Sequence, residues 1–166
     1  TNDEAYKLVI DKNKIVITAR GEAGLFYGTQ TILQMLDNGN GKTLKSITIE
    51  DTPRFPYRGM HLDVSRHFFD KEFVKKQLDA MAYFKMNRFH WHLTDGAGWR
   101  IEIKKYPRLT SFAAWRPFDN LQEWWVSGRT FCNQDDPRAV GGYYTQEDIR
   151  EVVAYAAERH ITIIPE

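Results

Sequence analysis

Apolar and polar positions alternate with a period of two over Tyr6 to Ile10 and again over Lys14 to Thr18, with Asp11, Lys12 and Asn13 between them. Two alternating β-prone runs separated by so short a polar stretch predict a hairpin. The period then lengthens. From Gly21 to Leu36, residues Leu25, Ile32, Leu33 and Leu36 can share one face of a helix, and Asn38-Gly39 supplies its stop. A third strand is expected from Thr43 to Glu50. The segment Asp51-Thr52-Pro53-Arg54-Phe55-Pro56 follows, and its two prolines remove backbone donors and bias their neighbours towards extended backbone. A boundary falls there, dividing the chain into residues 1–52 and 53–166.

Beyond the boundary the rhythm is strand, helix, strand, long loop, helix, strand. Tyr57 to Val64 is strand-like, and Phe69 to Met86 is helical with Phe73, Val74, Leu78, Met81 and Ala82 on one stripe. Arg88 to Leu93 is a second strand. Thr145-Gln146-Glu147-Asp148 matches a capping box and opens a helix whose buried stripe is Ile149, Val152, Val153 and Ala156, running to His160. Ile161 to Pro165 is a final buried strand. Such βαβαβ alternation argues for parallel strands joined by helical crossovers, an α/β architecture.

Composition narrows the partners. With 23 basic and 22 acidic residues and a net charge of +1, the chain has no run of like charge suited to nucleic acid or a membrane surface. It contains no stretch of about 18 apolar residues, so no membrane-spanning segment is expected. Cys132 is the only cysteine, which excludes an intrachain disulfide and a cysteine-based zinc site. The amino terminus lacks the basic and then apolar segments of a secretory signal. Aromatic residues make up 14% of the chain, and many stand in the loop-like stretch from Trp99 to Tyr144. Aromatic faces there suit the apolar faces of sugars and other flat ligands.

Ligands of parallel α/β sheets meet the carboxyl ends of the strands, so the polar residues at those ends carry the chemistry. They fall in Asp63-Val64-Ser65-Arg66-His67-Phe68-Phe69, in His90-Trp91-His92-Leu93-Thr94-Asp95 and in Pro165-Glu166. The guanidinium of Arg66 can donate several hydrogen bonds in one plane to vicinal hydroxyls, or it can simply pair with a neighbouring acid. Asp95 can orient a histidine or take a sugar hydroxyl, or it can cap the turn before Gly96. His90 and His92 project from one strand face, but no carboxylate or thiol stands at metal spacing beside them, so they read as core or supporting histidines and no metal is expected. A buried structural ion pair is the expected role of Asp63. Trp99, Trp115, Trp124 and Trp125 either line a sugar cleft or pack a long loop onto the sheet. Phosphate-binding loops, the dinucleotide fingerprint and the Gly-x-Ser-x-Gly elbow are all missing from the sequence.

Three long motifs carry a resemblance. They are Tyr57-Arg58-Gly59-Met60-His61-Leu62-Asp63-Val64-Ser65-Arg66-His67-Phe68-Phe69, then Asn87-Arg88-Phe89-His90-Trp91-His92-Leu93-Thr94-Asp95, then Gly98-Trp99-Arg100-Ile101-Glu102-Ile103. Together with Tyr143 to Arg150 and Ile161 to Glu166, they resemble the family 20 glycoside hydrolases, and Gly24-Leu25-Phe26-Tyr27-Gly28 to Leu36 resembles the accessory domain of that family. The resemblance implies an incomplete (β/α)8 TIM barrel, strands 1 to 3, over residues 53–166. It implies the C-terminal part of a small α/β accessory domain over residues 1–52.

It also implies a β-N-acetylhexosaminidase that removes terminal β-linked N-acetylglucosamine or N-acetylgalactosamine from an amino-sugar glycan. Catalysis would be retaining and substrate-assisted: the acetamido oxygen attacks the anomeric carbon, an Asp orients that group, and the adjacent Glu is acid and base. Neither cofactor nor metal is implied, and the family points to a periplasmic or secreted enzyme. By motif, Arg66 binds the hydroxyls at ring positions 3 and 4, and Asp95 belongs to a hydrogen-bond network that supports the acid through a later histidine. Family members often read Asp-Asp-Gln-Gly-Trp where this chain has Asp95-Gly96-Ala97-Gly98-Trp99. The Asp-Glu pair is expected after Glu166, which makes the chain a fragment, inactive by itself. Its open sheet edges and a bare apolar inner face are expected to make it self-associate. The reading from a different class is a non-catalytic carbohydrate-binding module, followed by a purely structural fragment.

Overall fold

The computed structural model describes residues 2–39, 41 and 43–166. Strands β1 (Tyr6–Ile10) and β2 (Ile15–Ala19) form the expected hairpin, with Tyr6 opposite Ala19 and Ile10 opposite Ile15. The Asp11 carboxylate closes its turn by accepting from the backbone N–H of Asn13 at 2.7 Å and of Lys14 at 3.0 Å. After helix α1 (Glu22–Asn38), strand β3 (Ile47–Asp51) pairs antiparallel with the other edge of β1, giving the order β2-β1-β3. The sequence predicts an earlier start for β3, but the ladder ends at Ile10↔Ile47 because β1 offers no further partner.

The buried face of α1 is not the leucine stripe. Leu25 and Leu33 are exposed, and Gly24, Tyr27, Gly28, Gln30 and Thr31 face inwards. Close approach decides this: a Cβ on Gly24 would lie 2.5 Å from the Ala5 carbonyl oxygen, and one on Gly28 would lie 2.6 Å from Ile17 Cγ2. Glycine there lets the helix sit directly on β1 and β2, where Tyr6, Leu8, Ile10 and Tyr27 make a small core.

The second half alternates as predicted. Strand β4 (Gly59–Asp63), helix α2 (Lys71–Tyr83) and strand β5 (Arg88–His92) lead into a long loop. That loop holds β6 (Thr94–Asp95), β7 (Gly98–Trp99), α3 (Arg108–Ser111), β8 (Trp115–Arg116), α4 (Leu121–Val126) and β9 (Val140–Gly141). Helix α5 (Gln146–Ala157) and strand β10 (Thr162–Pro165) close the chain. β4, β5 and β10 form a parallel sheet in the order β10-β5-β4. The capping box is present at both atoms: Asp148 N–H donates to Thr145 Oγ1 and Thr145 N–H donates to Asp148 Oδ2, each at 3.0 Å. Val153, placed on the inner stripe by the sequence, is exposed, because Ile149, Val152 and Ala156 already define the face of α5 that meets the sheet.

Alternation along the strands separates two chemistries. Phe89 and Trp91 of β5 turn towards Val74, Leu78, Met81 and Ala82 of α2 and Val152 and Ala156 of α5, all at most 4% exposed. Burial of each large side chain contributes about 1.5–3 kcal/mol. The opposite face carries Gly59, His61, Asp63, Arg88, His90, His92, Thr162 and Ile164 by register. The expected bare apolar face is therefore absent from this sheet: that face is polar except for Ile164, since the apolar positions of each strand were used against the helices.

A polar seam joins the two sheets. The Glu4 carboxylate accepts from Arg58 Nη2 at 2.9 Å, Asn87 Nδ2 at 2.9 Å and the Tyr27 hydroxyl at 3.1 Å. The Arg58 hydrogen bond is the main reason the Glu4 carboxyl is held below its ordinary value of 4.5. A depressed folded value means the contribution is complete above the unfolded value and is lost as pH falls through the folded one. Glu4→Gln is expected to lower stability by about 1–2 kcal/mol at pH 7, where Arg58 loses a charged acceptor. The deficit should shrink below pH 4.5 as wild-type Glu4 protonates. Urea unfolding at several pH values reads both effects, and a pH-independent deficit contradicts the assignment.

Candidate active site

The polar residues singled out at the carboxyl ends of β4 and β5 come together. At the end of β4, Asp63 Oδ1 accepts from the backbone N–H of Ser65 at 2.9 Å and of Arg66 at 3.0 Å. Its Oδ2 takes Arg66 Nη1 at 3.0 Å. Asp63 thus pins both the turn and the guanidinium, as a half-buried partner of Arg66. Asp95 arrives from the β6–β7 hairpin, and its Oδ2 lies 2.8 Å from Arg66 Nη2 and 3.4 Å from His92 Nε2. The turn-cap reading of Asp95 is seen directly, because its Oδ1 also accepts from the Gly96 N–H at the turn. That backbone hydrogen bond, followed by the neighbouring Arg66 guanidinium, lowers the Asp95 pKa below its ordinary value.

Arg66 therefore sits between two carboxylates with its side chain 41% exposed. Among the described residues its Nε makes no hydrogen bond, so donor capacity of the guanidinium remains unused. An oriented guanidinium flanked by carboxylates offers donors and acceptors together, the complement of adjacent sugar hydroxyls.

One expectation is corrected. The sequence sets no carboxylate at metal spacing beside His90 and His92, yet in the fold His90 Nε2 lies 2.6 Å from Glu166 Oε2, and His61 joins them, with ligand atoms of the three residues within 4.8 Å of one another. The spacing within one strand could not reveal this, because His61, His90 and Glu166 come from β4, β5 and the end of β10. Three of the four loop tryptophans donate to backbone carbonyls. Trp124 is buried and donates to the Thr130 carbonyl, while the indoles of Trp115 and Trp99 donate to the carbonyls of Thr110 and Ile101. Trp125 is exposed, with the Arg129 guanidinium 3.6 Å from its ring centroid.

Sequence reasoning missed two arginines. Arg100 is fully buried and donates to the carbonyls of Val64, Ser65, Gly142 and Ala114, and burial pushes its pKa down to about 10. Arg116 is 3% exposed and donates to the Arg66 carbonyl at 2.9 Å. Nothing in the local pattern marks either as interior, since Arg100 follows the two-residue β7 and Arg116 ends the two-residue β8, both too short to show a period. Gly98 gives a late clue: a Cβ there would lie 2.5 Å from the Arg100 guanidinium carbon.

Comparison with known proteins finds one family over both halves of the chain. Residues 55–166 match the model for glycosyl hydrolase family 20, catalytic domain, and residues 1–52 match that for glycosyl hydrolase family 20, domain 2. A beta-hexosaminidase of Vibrio furnissii is 48% identical over 100% of this chain and 26% of its own length. An N,N'-diacetylchitobiase of Vibrio harveyi is 40% identical over 98% of this chain and 18% of its own. Among solved structures, a GH20 exo β-N-acetylglucosaminidase of Vibrio harveyi in complex with N-acetylglucosamine superposes with a TM-score of 0.81 at 40% identity, covering 99% of this chain and 25% of that one. A GH20 β-N-acetylhexosaminidase of Streptomyces coelicolor gives 0.75 at 37% identity, over 98% of this chain and 31% of that one. The chain spans about a quarter of the length of the first of these relatives.

Proposed function

Because the chain belongs to glycosyl hydrolase family 20, we propose that the whole protein hydrolyses terminal β-linked N-acetylglucosamine or N-acetylgalactosamine from glycans, with retention, by attack of the substrate's own acetamido oxygen. In this reading residues 1–52 are the C-terminal part of the accessory domain. Residues 53–166 supply the first three strands of a (β/α)8 barrel, β4, β5 and β10. Arg66 binds the ring hydroxyls of the terminal sugar, Asp63 and Asp95 hold its guanidinium, and Asp95 also enters the network that supports the general acid. The catalytic Asp-Glu pair belongs to the part of the protein outside this chain.

The observation that carries the proposal is Arg66 at a strand end, bridged at 3.0 Å and 2.8 Å by Asp63 and Asp95, on the polar face of the parallel sheet. Barrel active sites are built at that end. The test is an assay of the whole protein on aryl β-glycosides that differ only at carbon 2. Turnover is expected for the 2-acetamido sugars and not for the 2-hydroxy sugar, which has no acetamido oxygen to attack. Equal turnover of both would refute the substrate-assisted route.

A further inference from the structure

The turn that presents Arg66 is Val64-Ser65-Arg66, and its three consecutive carbonyls are all held by buried guanidinium groups. Arg100 Nε donates to Val64 O at 2.9 Å, Arg100 Nη2 to Ser65 O at 2.8 Å and Arg116 Nη2 to Arg66 O at 2.9 Å. Three further bonds complete the clamp: Ser65 Oγ donates to Gly98 O at 2.8 Å, and Asp63 takes the N–H groups of Ser65 and Arg66.

Buried guanidinium groups ordinarily face a carboxylate. Among the described residues neither Arg100 nor Arg116 has a carboxylate within ion-pair distance, and the charge of Arg116 further disfavours that of Arg100. Arg116 also leaves its buried Nε and Nη1 without a partner. A methionine or leucine would fill the same space without stranding two donors, so packing does not explain an arginine there. What the arginines add over apolar residues is a rigid fork of donors aimed at one short turn, and that turn's only exposed charged product is the Arg66 side chain.

We infer that Arg100 and Arg116 are positioning residues for Arg66, fixing its backbone so that its guanidinium meets the sugar without searching. The inference rests on the reading of Arg66 as the hydroxyl ligand. It adds that the affinity of that contact is set from beneath, by side chains that never touch substrate. Arg116 gives the cleaner test, because it spends one hydrogen bond on the turn while Arg100 also ties down Ala114 and Gly142.

In the whole protein, Arg116→Met is expected to lower kcat/KM about tenfold, through a raised KM and a slower kcat in the same sense as Arg66→Ala, in keeping with losses of up to ~10²-fold for a misplacement of about 1 Å. On an Arg66→Ala background the same change should add less than about twofold, since a residue acting through Arg66 has nothing left to position. Arg116→Lys, which keeps one donor, should recover most of the kcat/KM and serves as the working variant if the methionine protein does not fold. Hydrogen exchange at the Ser65 and Arg66 amides supplies a readout independent of turnover: protection should fall in Arg116→Met. Unchanged protection, or equal kcat/KM effects with and without Arg66, would overturn the inference while leaving the proposed activity standing. A silent Arg66→Ala would instead overturn the reading of Arg66, and this inference with it.

Discussion

Assayed by itself on an aryl N-acetyl-β-glucosaminide, the 166-residue chain is expected to show no detectable turnover. It carries Arg66 and Asp95, but the order Asp-Glu occurs in it once, at Asp3-Glu4. Glu4 is locked to Arg58, which precedes β4, whereas Arg66 follows it, so this pair lies at the opposite end of the strand from the cluster. Loss of a general acid typically costs about 10²- to 10⁴-fold. Here the acetamido-orienting Asp that the family resemblance implies is missing as well, and the two losses together fall below the background of such an assay. Clear turnover by pure chain would refute the assignment of the catalytic pair to the rest of the protein.

In the whole protein Arg66→Ala is expected to lower kcat/KM by about 10²- to 10³-fold, through a raised KM and a slower kcat. Hydrogen bonds to a charged group contribute about 1.5–3 kcal/mol each, and contacts to ring hydroxyls exist both before and during the reaction. The fold should survive. Arg66 pairs with side chains that are 30% and 40% exposed, and ion pairs so open to water contribute about 0–1 kcal/mol. Steady-state kinetics beside a thermal melt separates these outcomes. Unchanged kinetics in a well-folded variant would assign Arg66 to a surface ion pair and nothing more.

Much of the architecture was legible because it depends on local pattern. The hairpin, the two crossover helices and the three parallel strands all follow from periods of two and 3.6 with their caps, and Thr145 to Asp148 marks the start of α5 to the residue. The buried faces of the helices were less legible. Leucines on α1 were assigned inwards by hydrophobicity, but the sheet takes the side on which Gly24 and Gly28 permit contact, leaving Leu25 and Leu33 outside. Backbone clearance between elements is not encoded in the periodicity of one of them. Val153 of α5 is also exposed, because Ile149, Val152 and Ala156 already supply the face that meets the sheet.

The candidate cluster was legible in its members and not in its wiring. Asp63, Arg66, His92 and Asp95 all stood out by lying at strand ends, yet which acid would hold Arg66 depended on the fold of the β6–β7 hairpin, and the answer is both. The Glu166–His90 contact and the clamp from Arg100 and Arg116 join residues 76, 36, 35 and 50 positions apart. Contacts across such distances have no signature in a local window. A buried arginine bonded to carbonyls is especially hidden, since it has no acidic partner to suggest the pairing.

The central claim is that this cluster belongs to a retaining, substrate-assisted N-acetylhexosaminidase. Its most direct test is proton NMR of the whole protein cleaving an aryl N-acetyl-β-glucosaminide, recorded before the released sugar mutarotates. The account predicts the β-anomer of N-acetylglucosamine as the first product, with the α-anomer growing in only later. An α-anomer formed first, or no release of the sugar by folded whole protein, would contradict it.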